Sequence, residues 1–192
     1  MSEFNAAPDS AEYERDSAGD MPANGVPADP APADLEAFWQ RAIIRAHINP
    51  LSVIMGPSGA ESLRPESYAL GSTRAEVDLL AGLVATGRKR ATSSWRDSYV
   101  AEGLPLPEKG QMSIVTDGSG VPRALVQVTE VRLTPLPEVD EAISDAEGEG
   151  TLADWRSVHE AAFQAECEDL GIAFNPRGSV VTEFIKVLYA GD

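Results

Sequence analysis

The sequence predicts an α+β domain built around a small antiparallel sheet or partly closed barrel, preceded by an acidic tail. Three observations predict it. Helical and strand periods alternate along the chain without the strand–helix–strand spacing of a parallel sheet. One strong hairpin turn, Asp117-Gly118-Ser119-Gly120, separates two runs that read as strands. An apolar content of 43% in 192 residues suits one core of ordinary domain size.

Residues 1–33 contribute little to that core. They are rich in Pro, Ala, Asp, Glu and Ser, and Pro22, Pro27, Pro30 and Pro32 interrupt any helix. Such a stretch buries too little surface to offset the entropy of ordering, so it reads as a disordered acidic tail, its composition favouring solvation over the alternative of partner binding.

From Asp34, a predicted N-cap, Leu35, Phe38, Trp39, Ala42, Ile43 and Ala46 recur at helical spacing. Residues 49–71 read as an irregular connection, with Tyr68 as an anchor. Thr73-x-x-Glu76 is a capping box for a helix carrying Val77, Leu80, Leu83 and Val84, and Gly87 is placed to end it. The period then changes to two over 91–95, a short strand with Thr92 and Ser94 on one face and Ser93 on the other. A loop over 103–110 feeds a strand over 112–116. The hairpin turn returns the chain through a strand over about 123–133, stopped by Pro135 and Pro137. A short helix over 141–146 precedes Glu147-Gly148-Glu149-Gly150. Thr151-x-x-Asp154 caps a helix that Gly171 closes, and a strand over about 180–189 finishes the domain.

The net charge of −16 argues against general affinity for nucleic acid, and duplex DNA is not an expected partner. The charge is unevenly spread. From Val84 to Arg96 there are four bases and no acid; from Pro137 to Asp154 there are seven acids and no base. A single cysteine, Cys167, excludes an internal disulfide, no apolar run of membrane-spanning length occurs, and the acidic N-terminus lacks a secretory h-region. The expected compartment is the cytoplasm, with no membrane partner.

Candidate chemistry centres on Gly87–Trp95 and the Glu-Gly-Glu-Gly loop. Lys89 lies between Arg88 and Arg90 in sequence; like-charged neighbours disfavour an ammonium, so it could serve as a base, or it could be a solvated surface charge. Thr92 is either a nucleophile or orienting hydroxyl, or a strand former. Ser94 is the expected companion hydroxyl. Glu149 could handle a proton, hold Lys89, or bind a divalent ion with Glu147; the alternative is a solvated acidic loop. No cofactor is required by this pattern. The His and Cys content supports no tight transition-metal site, but a weak Mn or Mg site on Glu147 and Glu149 stays open. Trp95 could stack on a base or fill the core. His159, on one helical face with Trp155 and Phe163, is either a ligand contact or a satisfied, partly buried histidine. Arg88 and Arg96 are candidate phosphate contacts.

Taken together, Gly87-x-Lys89-x-x-Thr92, Ser94-Trp95, Pro105-x-Pro107 before Gly110, Glu147-Gly148-Glu149-Gly150, Trp155 with His159, and the closing Val-Thr-Glu-Phe strand resemble the ASCH domain. The resemblance covers about residues 35–190 and is strongest over 85–190. It implies a PUA-like small β-barrel flanked by helices, in a domain of residues 34–192 with an N-terminal helical extension. It also implies a link to RNA. Members of the family include an amidohydrolase that deacetylates 4-acetylcytidine and longer proteins with metal-stimulated ribonuclease activity. The amidohydrolase's Gly-x-Lys-x-x-Thr pattern falls on Lys89 and Thr92, and its Ala-Glu-x-Glu context on Ala146-Glu147-x-Glu149, with Glu149 the favoured carboxylate. The Glu-Gly-Glu-Gly loop and the extra N-terminal residues fit the longer subgroup.

Two functions follow as expectations. One is a hydrolase, acting as an amidohydrolase on an acylated nucleoside or as a ribonuclease, with Lys89, Thr92 and Glu149 as its site. The other is a non-catalytic RNA-binding module with Arg88, Lys89 and Trp95 as contacts; a small-molecule sensor is a third, weaker idea. A carboxylate facing Lys89 discriminates between the first two, because a phosphate groove gains nothing from an acid beside its lysine.

Overall fold

A computed structural model describes residues 25–48 and 64–191. Most of the expected tail (1–24) and most of the irregular connection (49–63) lie outside the described residues. Residues 25–31 run beside the hairpin turn. The Ala28 amide donates to the Gly118 carbonyl (3.0 Å) and the Arg74 amide donates to the Gly25 carbonyl (2.9 Å).

Helix α1 spans Pro32–Arg45 and starts two residues before the predicted cap. Pro32 presets the φ of the first turn, so no side-chain cap forms, and Asp34 instead places its charge at the positive end of the helix. Strand β1 is only Ser67–Tyr68. Helix α2, Arg74–Ala85, is capped by Thr73, whose hydroxyl accepts from the Glu76 amide. The Glu76 carboxylate closes on the amide of Ser72 (2.9 Å), one residue earlier than a standard box, and these bonds hold it below the usual carboxylate range. Gly87 follows with φ +72, as the chain turns into β2, Ala91–Trp95.

Helix α3, Arg96–Glu102, starts directly from β2 and has no counterpart in the sequence reading. Seven residues are too few to show a period. Strands β3 (Met112–Thr116) and β4 (Pro122–Pro135) form the predicted hairpin. A 3-10 turn at Leu136–Glu138, helix α4 (Glu141–Glu147), helix α5 (Leu152–Asp169) and strand β5 (Ser179–Ala190) complete the chain. At the start of α5 the predicted capping box of Thr151 and Asp154 is complete.

The five strands lie in the order β1-β3-β4-β5-β2, with β1 parallel to β3 and the other pairs antiparallel. Register shifts at Leu125/Val126 and Val128/Glu130 interrupt the long β4–β5 ladder, where bulges add bend and twist. The barrel expected from the resemblance does not close: β1 and β2 are both edges and do not pair with each other. With two residues in β1, there is too little edge to complete the ladder.

Three apolar clusters hold the layers. Trp95 and Val180 pack against Val139, Ile143, Trp155, Phe163 and Cys167 under α4 and α5. Ala81 and Val84 of α2 cover Val115, Val126 and Ile185, joined at the rim by Tyr68 and Leu70. Phe38 and Trp39 of α1 cover Ile114 and Leu125.

Candidate functional site

The unclosed seam of the sheet is a cleft of about 220 Å³. Leu70 and Gly71, just beyond β1, line one side, with Glu76 and Leu80 of α2. Thr92, Ser93 and Ser94 of β2 form the other, and His159, Phe163 and Glu166 of α5 close it. Lys89, Glu147 and Glu149 lie within it.

Backbone bonds bring the last three together. The amides of Arg88 and Lys89 both donate to the Leu83 carbonyl, so this segment wraps the end of α2. The Arg90 amide then donates to the Ala146 carbonyl (2.6 Å), which ties the end of α4 to the start of β2. Between these ties Gly148, at φ +71, lies so near the chain that a Cβ there would meet the Arg88 carbonyl oxygen at 2.6 Å. The glycine in Glu-Gly-Glu is thus needed for docking the acidic loop on the backbone beside Lys89.

Lys89 is only 2% exposed. Its ammonium donates to Glu147 Oε2 (2.5 Å) and to Glu149 Oε1. The charges nearest Lys89 are therefore negative. Arg88 and Arg90, expected to crowd it with positive charge, are exposed and make no contact with the ammonium.

The two carboxylates differ. Glu147 is fully buried, and its Oε1 accepts from Trp155 Nε1 (2.9 Å) and lies 3.5 Å from His159 Nε2. Burial alone would raise its carboxyl, but the contacts with His159 and Lys89 outweigh it and bring the pKa from 4.5 down to about 2. Glu147 is a fixed anion that organises its neighbours. Glu149 is 25% exposed and, among the described residues, bonded only to Lys89, which leaves it an oxygen for the cleft. His159 stacks on Trp155 at 4.1 Å between ring centres, with its Nδ1 3.0 Å from the Trp155 carbonyl oxygen.

Of the hydroxyls on β2, Ser93 bonds Thr182 Oγ1 and Ser94 bonds the Tyr99 hydroxyl, both at 2.9 Å. Thr92 has no hydrogen-bond partner among the described residues and is free to act on a ligand. Of the remaining candidates, Trp95 is completely buried between Phe163 and Phe174, with Gly178 against its ring, and has no face for a base. Arg88 and Arg96 do not line the cleft, and Arg96 pairs with Asp97 on the surface.

Glu76 read only as a cap and Glu166 carried no sequence signal, because helix packing alone brings the two to the cleft lining. A divalent ion on Glu147 and Glu149 would have to displace the Lys89 ammonium, and Glu147 already spends both oxygens on Lys89, Trp155 and His159. The pair as arranged does not fit a bridging metal. Among the described residues, no other group of His, Cys, Asp and Glu is suited to one. Nor is any helix among them long and apolar enough to cross a membrane.

A curled, open sheet with a lysine–carboxylate cleft in its seam defines an α+β domain of PUA-like fold. The ASCH domain profile matches residues 66–189. The chain belongs to the ASCH domain family, which is generally linked to RNA interaction. The crystal structure of protein EF3133 from Enterococcus faecalis is similar, with TM-score 0.69 and 29% identity, covering 81% of this chain and 88% of that one. An ASCH domain from Lactobacillus crispatus is similar at TM-score 0.64 and 28% identity, covering 78% of this chain and 95% of that one. No curated protein gives a significant match.

Proposed function

We propose that this protein is a hydrolase that removes an acyl group from a modified nucleoside. The observation that carries the reading is the Lys89 ammonium held between Glu147 and Glu149 in a cleft that Thr92 shares. A site built to grip phosphate leaves its cation unpaired for the ligand; here it is bound to two acids. Glu76, Glu147, Glu149 and Glu166 face the cleft against one lysine, so a polyanionic strand meets repulsion while an uncharged nucleoside does not. The volume of about 220 Å³ lies below the roughly 300–1,000 Å³ of drug-sized ligand sites, which favours a single ring over a strand.

With an amide substrate, Glu149 takes the proton of the attacking water or of the Thr92 hydroxyl. The new oxygen–carbon bond forms at the carbonyl, and Lys89 stabilises the charge that develops on the carbonyl oxygen. Glu149 returns the proton to the nitrogen as the carbon–nitrogen bond breaks, releasing amine and acid. If Thr92 is the nucleophile, a water repeats the sequence on the acyl ester. The base is therefore Glu149, not the lysine that the sequence pattern suggested. Glu147 and Trp155 position the pair. One cysteine, kept as a buried thiol, fits a cytoplasmic site of action.

The test is to incubate the purified protein with 4-acetylcytidine and with short single-stranded RNA, each with Mn and with chelator. Deacetylation that survives the chelator is the expected result. Mn-dependent RNA cleavage, or salt-sensitive RNA binding without deacetylation, would replace this reading with the ribonuclease or the binding module.

A further inference from the structure

One carboxylate has no part in the Lys89 network. Glu183 on β5 is the direct cross-strand partner of Thr92. Side chains alternate along a strand, so Thr92, Ser94 and Glu183 share one face of the sheet, the face opposite Trp95. Ser94 there bonds the Tyr99 hydroxyl. Burial raises both Tyr68, on the opposite edge strand, and Tyr99, and the Glu183 charge adds to the rise in each. Glu183 thus lies beside the free hydroxyl of Thr92 and the Ser94–Tyr99 pair, on a strand between the two unpaired edges.

Its carboxylate has no hydrogen bond and no ion pair among the described residues. Burial alone pushes it up. A half-buried acceptor without a protein partner is available to a ligand. The cluster offers one strong acceptor beside hydroxyl donors, a combination that matches a ring edge with an N–H next to an acceptor atom.

We propose that Glu183, with the hydroxyls of Tyr68 and Tyr99, is a recognition subsite that takes the N–H-bearing edge of an uncharged heterocycle and places its substituent at Thr92. The proposal rests on the hydrolase reading for the identity of the ring, but its test does not need turnover. Cytidine, which carries an exocyclic amine, is titrated calorimetrically into the wild type, Glu183→Leu, Glu183→Gln and Tyr68→Phe, and melting temperatures are recorded alongside.

Glu183→Leu should lose at least about tenfold in affinity, as expected for a hydrogen bond to a charged group. Glu183→Gln, which keeps an acceptor oxygen, and Tyr68→Phe should each lose roughly threefold. The melting temperature of Glu183→Leu should hold or rise, since an unpartnered carboxylate is replaced by an apolar group; a structural role would lower it. No measurable cytidine binding by the wild type, or Glu183→Leu affinity within twofold of it, overturns the subsite. Cytidine binding through Glu183 without any deacetylation would leave the subsite standing and remove the hydrolase. Deacetylation with an unchanged KM in Glu183→Leu would do the reverse.

Discussion

The two faces of β2 differ in how completely their carboxylates and hydroxyls are satisfied, although the buried Trp95 Nε1 on the side of α5 has no partner either. On the side of α4 and α5, Glu147 is saturated by Lys89, Trp155 and His159, and Ser93 is bonded to Thr182. On the inner side, Thr92 and Glu183 have no partners among the described residues. The satisfied face is a frame that fixes one lysine and one exposed carboxylate. The unsatisfied face has capacity left for a ligand. Substitutions on the first should act on stability, and those on the second on binding and turnover.

The largest stability effect is expected for Glu147→Ala. It leaves the Lys89 charge and the Trp155 N–H buried with lost partners, which should cost about 3–5 kcal/mol in urea unfolding. A loss under 1 kcal/mol would show that the network is not a frame.

Next is the acid limb of stability. The Glu147 carboxyl is lowered on folding, so its contribution is complete above its ordinary pKa of 4.5 and is lost as pH falls towards its folded value of about 2. The whole contribution is on the order of 3 kcal/mol. Glu147→Gln should flatten the stability profile between pH 4.5 and 2, read from unfolding curves at several pH values. An unchanged slope would assign acid lability to other carboxylates.

Gly148→Ala should follow, at about 1–3 kcal/mol, from the positive φ and from the clash with the Arg88 carbonyl. Because it displaces Glu149 from Lys89, turnover should fall further than stability alone explains. The smallest stability effect belongs to the inner face: Thr92→Ala should stay within about 0.5 kcal/mol of the wild type while hydrolysis drops by ~10²-fold. A Thr92→Ala enzyme with full turnover would limit the hydroxyl to a strand-forming role.

Much of the frame was legible because its signals are local. Gly87, the Asp117–Gly120 turn, the Thr151 capping box and the period-two run over 91–95 each depend on neighbours in sequence. The Lys89–Glu149 pairing was not local: it came from the family pattern, and the Glu-Gly-Glu spacing then found its reason in the close approach of Gly148 to Arg88. What escaped the sequence depends on long-range packing. Glu183 meets Thr92 only through the β2–β5 register, and Glu76 and Glu166 reach the cleft only by helix placement. Trp95 read equally well as a stacking platform, until Phe163 and Phe174 were found to enclose it. The open seam could not be read either, since two-residue β1 lies in a stretch that looks like loop.

The central claim is that the exposed carboxylate on Lys89 is the working base of a hydrolase. The most direct measurement compares the rate of 4-acetylcytidine deacetylation by the wild type and Glu149→Gln, both checked for folding by circular dichroism. The wild type should turn over and the variant should be slower by at least ~10²-fold. Equal rates in the two proteins, or no deacetylation by the folded wild type, would contradict it.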